Sequence, residues 1–231
     1  MLSVEHVLIV GTSRGLGLEL TRAALRQSTR VTAIARRATP ALEALRAQQQ
    51  ELLTIGLADV RSDAELQSVA EGLGDARFDG IVYNAAIHRG GDDIESASAD
   101  DMLATLDVNA VGAARVVRYF RPRLAPGGLL AFISSEAGSI GGSGRASEYG
   151  YCMSKAALNM FACLMGNRER QRGSGVHVLA LHPGWIRTDM GGPRAHLAPD
   201  EAARDVWSLL ERRASEAGAP FVDRLGEPLA W

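Results

Sequence analysis

The sequence predicts an α/β protein built on one doubly wound parallel sheet, and three observations predict it. Short apolar segments alternate with stretches of helical spacing along the whole chain. The apolar segments are near-continuous rather than alternating, which marks strands buried on both faces, as in a parallel sheet flanked by helices. The first of them ends in a glycine-rich turn, Gly11-Thr12-Ser13-Arg14-Gly15-Leu16-Gly17, that opens the first helical stretch. No linker, internal repeat or low-complexity run interrupts the series, so residues 1–231 are expected to form a single domain.

Taken in order, Val4–Val10 is the first strand, and Gly15–Arg26 a helix with apolar positions Leu16, Leu20, Ala23 and Ala24. Arg30–Ala35 is short and β-branched, and Pro40–Gln50 is a helix opened by proline. Leu52–Leu57 is a strand, and Ser62–Glu71 a helix with Ser62 as cap and Glu65 three residues on. Gly80–Tyr83 is a strand, Ala99–Leu124 one long or two joined helices, and Leu129–Ile133 a strand. Tyr151–Arg172 is a helix, Val176–Leu181 a strand, Pro199–Ala214 a helix and Pro220–Asp223 a short last strand. Ligands of such sheets sit beyond the carboxyl ends of the strands.

Composition excludes several classes. With 231 residues, 46% hydrophobic and 23% charged, the chain can bury a large core without staples. No apolar run reaches the ~18 residues of a membrane span, and MLSVEHVLIVG lacks the basic start of a secretory signal, so a cytoplasmic location is expected. A net charge of −2 argues against a general nucleic-acid binder. Cys152 and Cys163 have neither disulfide-framework nor zinc-site spacing, and no metal site is expected.

One count stands out. Of 25 basic residues, 24 are arginine and one, Lys155, is lysine. Arginine is planar and cannot be deprotonated, so a site that keeps lysine points to a compact ammonium on a slender stem. Tyr151 is four residues earlier on the same predicted helix and shares its face. A neighbouring ammonium favours phenolate, which makes Tyr151 a candidate general acid or base. Ser134 and Ser135 follow the Leu129–Ile133 strand, where a sheet presents site residues. The glycines of the turn permit φ > 0 and close approach of a phosphate, and the helix that follows offers free N–H groups to a pyrophosphate.

Together these pieces resemble the short-chain dehydrogenase/reductase family over essentially the whole chain. The matching segments are GTSRGLG, Asp59-Val60, Asn84-Ala85-Ala86, Asn109 in DVNAVG, Ser135 in ISSEAG, Tyr151 and Lys155 in YCMSK, and Pro183-Gly184 with Ile186 and Thr188 in HPGWIRTDM. HPGWIRTDMGG and FVDRLGEPLAW are most similar to the C-factor-like and carbonyl-reductase-like branch. Two features depart from the family pattern: Ala86 replaces a glycine, and the segment between Ser135 and Tyr151 is a few residues longer.

The resemblance implies a Rossmann-type sheet of about seven strands in the order 3-2-1-4-5-6-7. It implies an NADPH-dependent reductase of a ketone, aldehyde or quinone, or the reverse oxidation of an alcohol. Tyr151 would be the proton donor and Ser135 the holder of the carbonyl oxygen. Lys155 would lower the tyrosine pKa and bind the nicotinamide ribose, and Asn109 would order a water behind it. Gly11, Ser13, Arg14, Gly15, Leu16 and Gly17 would wrap the cofactor phosphates. Asp59 and Val60 would meet the adenine, Asn84, Ala85 and Ala86 the ribose region, and Pro183, Gly184, Ile186 and Thr188 the carboxamide end. Homodimers or homotetramers are implied, with the helices around Asn109–Leu124 and Tyr151–Arg172 pairing through Val116, Val117, Leu158, Phe161 and Leu164. The alternatives on the same fold are a C-factor-like signalling or dinucleotide-sensing protein with little turnover, and a lyase, epimerase or dehalogenase.

Cofactor choice can be read near the end of the second strand. NAD-binding proteins of this type place an acid there for the ribose 2′-OH. This chain has Ala35, followed by Arg36, which suits a 2′-phosphate; Arg14 is placed to reach the same group, so NADP(H) is expected. His182 reads as structural, His88 and Arg89 as possible cleft residues, and Trp185 and Met190 as packing or substrate wall. Tyr149 is the one competitor for the acid, and it lacks the four-residue spacing to Lys155.

Overall fold

The computed structural model describes residues 4–90, 93–213 and 220–231. Its strands are β1 (His6–Val10), β2 (Arg30–Ala35), β3 (Leu53–Leu57), β4 (Phe78–Tyr83), β5 (Leu124–Ile133), β6 (His177–His182) and β7 (Phe221–Asp223). They form one parallel sheet in the order β3-β2-β1-β4-β5-β6-β7. The order reverses between β1 and β4, so the chain leaves a crevice at their carboxyl ends.

The helices divide between the two faces because each strand buries both of its sides. Helices α1 (Gly15–Arg26), α2 (Pro40–Gln48) and α7 (Pro199–Arg213) cover one face, where Leu20, Leu42 and Val206 pack on Ile9 and Ala33. Helices α3 (Asp63–Gly72), α4 (Ala99–Leu106), α5 (Gly112–Phe120) and α6 (Tyr149–Gln171) follow in chain order. The second face carries Leu66, Val116, Phe120 and Leu158 against Leu8, Phe78 and Phe132. Burying each such side chain stabilises the fold by about 1.5–3 kcal/mol.

The sequence reading of elements is corrected mainly around the fifth strand. The Ala99–Leu124 stretch is two helices joined by a π-helical turn, Asp107–Val111, and it ends at Phe120. Pro122, which has no N–H to continue the ladder, lies in a single 3-10 turn, Arg121–Arg123. Leu124 then already belongs to β5, which is ten residues long rather than five, with a register shift opposite Phe78 and Gly80. The expected end of the Pro199–Ala214 helix, Ala214, lies outside the described residues. The Ser62 cap is present, with its hydroxyl accepting from Glu65 N–H at 3.2 Å; the Glu65 carboxylate, however, accepts from Asp59 N–H at 2.8 Å.

The apolar residues expected at a subunit interface also sort differently. Val116, Val117 and Leu158 are buried in the chain's own core, and Phe161 packs edge-on against Phe132. Leu164 is exposed, as are Met153 and Met160 on the same helix. No helix among the described residues is long and apolar enough to cross a membrane.

Candidate active site

The glycine turn is closed by the strand beside it. Gly11 and Gly15 have φ of +89° and +57°, a region that disfavours L side chains. A Cβ on Gly11 would stand 2.6 Å from Ala85 Cα, and one on Gly17 would overlap the Gly11 carbonyl and the Asn84 amide. Asn84 Nδ2 donates to that carbonyl at 2.9 Å, so the exit of β4 is stitched to the turn. Helix α1 begins with no side-chain cap and no acid in its first turn, which leaves its N–H groups and positive end open to an anion.

Around the turn lie the ends of β2 and β3. Ala35 is buried at the end of β2 and Arg36 is exposed just beyond it. The Asp59 carboxylate is claimed by Arg61, through its backbone N–H at 2.9 Å and its guanidinium at 3.0 and 2.7 Å; these contacts hold it below the usual carboxylate range. From the other side comes the segment after β6. Gly184 has φ +88°, Ile186 bridges to Leu197, and a Cβ on Gly15 would meet the Thr188 methyl at 3.2 Å. Arg14 crosses from the turn to this segment and forms an ion pair with Asp189.

The second cluster is built on α6. Tyr151 and Lys155 are one helical turn apart, and the Lys155 Nζ lies 5.6 Å from the centre of the Tyr151 ring. The ammonium is buried and donates to the Ile133 carbonyl at 2.9 Å. Burial alone pulls its pKa down to about 7. Tyr151 is pushed up to about 12, mainly by burial, against a lowering hydrogen bond from Ser135. The tyrosine is therefore a protonated acid at neutral pH. The Lys155 ammonium donates to the Ile133 carbonyl, with its nitrogen 5.6 Å from the centre of the tyrosine ring.

Ser135 follows β5 in extended conformation, and its hydroxyl accepts from Ala137 N–H at 3.1 Å. Its neighbour Ser134 is a structural residue that donates to Asn159 Oδ1 at 2.6 Å. Asn109 sits in the π-helical turn and is fully buried. It accepts from Ile87 N–H at 2.8 Å and donates to the Ile87 carbonyl and the Ser154 hydroxyl, both at 2.9 Å. One amide thus ties the end of β4 to α6, three residues from Tyr151. The turn that presents it is held by the Tyr83 hydroxyl, which donates to the Val108 carbonyl; a Cβ on Gly112 would run into that hydroxyl.

The mouth of the site is charged but internally paired. The His88 ring lies 5.2 Å from that of Tyr151, and its Nδ1 is 3.8 Å from Glu148. Arg145 joins Glu148 to Glu136, and His182 Nε2 is 4.0 Å from Glu136. Glu148 precedes α6 at φ +59°, a costly conformation for a residue with a side chain. Trp185 stands half exposed with its indole N–H on the Gly191 carbonyl at 2.9 Å. A groove of about 520 Å³ between α3 and the end of α5 lies at the opposite, amino-terminal edge of β4 and β5; its Arg77 and Arg123 bind backbone carbonyls there.

The glycine turn, Ala35 with Arg36, Asn84, Ser135 and Pro183 lie at or just after the carboxyl ends of β1, β2, β4, β5 and β6, and Tyr151 and Lys155 lie in the first turns of α6. Sequence reasoning missed Ser154, Tyr83 and Glu148. Ser154 could have been found from its three-residue spacing to Tyr151, and Tyr83 as the one hydroxyl in the FDGIVY strand. Glu148 carried no signal, since its left-handed backbone is set by the loop. No group of three or more possible metal ligands lies together among the described residues.

Comparison with known proteins adds the family. The short chain dehydrogenase model matches residues 5–197. The chain belongs to the short-chain dehydrogenase family. That membership makes it an oxidoreductase by family. The C-signal protein of Myxococcus xanthus is 38% identical over 133 residues, 57% of this chain and 79% of the relative. The NADPH-dependent pterin aldehyde reductase of Arabidopsis thaliana is 30% identical over 96% of this chain and 94% of its own. A short-chain dehydrogenase/reductase of Burkholderia multivorans, solved with bound NADP, superposes with a TM-score of 0.93 at 30% identity, covering 99% of this chain and 100% of that one. A carbonyl reductase of Pseudomonas aeruginosa PAO1 in complex with NADP gives 0.86 at 34% identity, over 99% and 100%.

Proposed function

We propose that this chain is an NADPH-dependent carbonyl reductase in which Tyr151 is the general acid. The observation that carries the reading is the joint placement of Ser135, Tyr151 and Lys155: Ser135 leaves the end of β5, its hydroxyl lowers the Tyr151 pKa against burial, and the chain's one lysine lies a helical turn from the tyrosine. The residues around the glycine turn fit a phosphorylated dinucleotide. Gly11 and Gly17 keep their Cβ positions filled by Ala85, Asn84 and the turn's own backbone, so the floor is tight and the outer side open. Ser13, Arg14, Gly15, Leu16, Asp59, Val60, Ala86, Pro183, Ile186 and Thr188 are the residues assigned to the rest of the cofactor. Ala35 offers no acceptor for a ribose hydroxyl, and Arg36 and Arg14 are the cations that would take a 2′-phosphate.

The bound cofactor supplies the hydride. The protein's part is the proton and the oxygen. Ser135 and Tyr151 both donate to the carbonyl oxygen, and their bonds strengthen as negative charge gathers on it. The Tyr151 O–H then breaks and its proton moves to that oxygen, leaving a phenolate that is reprotonated from solvent. A tyrosine held near 12 keeps its proton until the acceptor becomes a strong base, which suits the reductive direction. Lys155 has one ammonium hydrogen on Ile133 and two more to offer a ribose and the developing phenolate. Asn109 holds α6 and the Ile87 backbone in register for this arrangement.

The test is NADPH oxidation against a panel of ketones, aldehydes and quinones, repeated with Tyr151→Phe. That variant keeps the ring and removes the acid, so kcat should fall by ~10²–10⁴ with NADPH binding unchanged. Retained activity would refute the assignment. The 38% identity to C-signal supports a second reading, a signalling protein with little turnover; tight NADPH binding with silence across the panel would favour it.

A further inference from the structure

We propose that Asp189 is a cofactor-selectivity residue, because its carboxylate competes with the cofactor's 2′-phosphate for the Arg14 guanidinium. The inference rests on the assignment of Arg14 to that phosphate made above. The two residues are 175 positions apart and meet across the cleft, Arg14 on the glycine turn and Asp189 on the segment after β6. Both side chains are 73% exposed, so the pair anchors no core and can exchange partners at little cost.

The backbone that presents Asp189 is, by contrast, well held. Thr188 N–H donates to the Ile186 carbonyl at 2.8 Å, Gly192 N–H to the Thr188 carbonyl at 2.8 Å, and Gly191 N–H to the Thr188 hydroxyl at 3.2 Å. Arg187 is fixed to the His196 carbonyl at 2.6 Å, and Gly15 packs beneath Thr188. The backbone that carries the carboxylate is therefore held in place beside Arg14. Arg36, the other cation assigned to the phosphate, forms no such ion pair among the described residues. The carboxylate it faces, Asp59, already belongs to Arg61.

A cofactor with a 2′-phosphate must take Arg14 from Asp189, and one without it leaves the pair intact. Asp189 thus narrows the preference for NADPH over NADH. It also ties the segment after β6 to the glycine turn until a phosphate releases it, and coupling of this kind is reciprocal.

The experiment is a cofactor-binding titration on the whole chain, read by protein fluorescence, for wild type, Asp189→Asn, Arg14→Gln and the double variant. At low ionic strength Asp189→Asn should bind NADPH about two- to fivefold tighter, the range an exposed ion pair sets. NADH affinity should not move, and the gain should shrink in high salt. The gain should vanish in the Arg14→Gln background. A gain that persists without Arg14 would mean simple repulsion of an anionic ligand and would overturn the proposal. Unchanged or weaker NADPH binding by Asp189→Asn would overturn it too, provided Arg14→Gln alone weakens NADPH. If Arg14→Gln alone changes nothing, the assignment of Arg14 to the phosphate fails first, and this inference falls with it.

Discussion

Replacing Lys155 by methionine keeps a long side chain in the same space and deletes the buried charge. In the cofactor-free fold the ammonium has the Ile133 carbonyl at 2.9 Å and, among the described residues, no ion-pair partner, and burial brings its pKa from 10.5 to about 7. Across that window the unfolded chain binds the proton and the folded chain does not, so this lysine makes stability rise with pH. Below pH 7 it is charged in both states and carries its full desolvation cost. The gain from pH 6.5 to 9.5 works out at about 3 kcal/mol at 1.36 kcal/mol per pKa unit. Tyr151, pushed up to about 12, acts in the opposite sense, but only above pH 10, where the unfolded chain loses its phenolic proton first.

The assay is urea unfolding of the cofactor-free protein at pH 6.5 and 9.5. Lys155→Met should exceed wild type most at pH 6.5, and the difference should shrink by about 3 kcal/mol at pH 9.5. A second reading comes from calorimetry of NADPH binding at pH 8 in buffers of different ionisation enthalpy. A lysine that titrates near 7 is about nine-tenths neutral at pH 8. If the bound ribose restores its ammonium, binding should take up close to one proton in wild type and none in the variant. A stability difference that does not change with pH, together with no proton uptake, would refute the picture of a desolvated ammonium waiting for an acceptor.

Two further outcomes are expected. Ala35→Asp combined with Arg36→Ser should reverse the cofactor preference, shifting the NADPH/NADH ratio of kcat/KM by roughly two to four decades; equal use of both cofactors by wild type would remove the basis for it. Met153, Met160 and Leu164 make an exposed apolar stripe along α6, near exposed Leu103 and Val111, and such stripes mark association surfaces. Light scattering at micromolar concentration should find a dimer or larger, and Leu164→Glu should dissociate it; a wild-type monomer would refute this.

Much of the fold was legible in the chain itself because the signals are local. Periodicity marks which stretch is strand and which helix within a few residues. The three glycines announce their turn because only glycine tolerates the φ of +89° at Gly11. The Tyr151–Lys155 pair is legible because a helix carries residues four apart on one face. Boundaries were lost where a neighbour rather than the segment decides. Leu124 reads as helix by its own spacing, yet it pairs with Phe78. Val116 and Leu158 were expected at a subunit interface, yet they lie in the chain's own core.

The contacts that complete the site were beyond the sequence for the same reason. Asn109 could be named, but not that its amide would be spent on Ile87 and Ser154, 22 and 45 residues away. Arg14 could be named as a phosphate contact, but not that Asp189 would hold it. Lys155 could be paired with Tyr151 by spacing; only the folded chain showed its ammonium donating to the Ile133 carbonyl and burial raising the tyrosine. A helix or a turn depends on bonds a few residues long, which composition and spacing encode directly. The pairing of Arg14 with Asp189, and the desolvation of Lys155, depend on which strands lie side by side and how closely their loops approach. Those are properties of the whole sheet, not of any window along the chain.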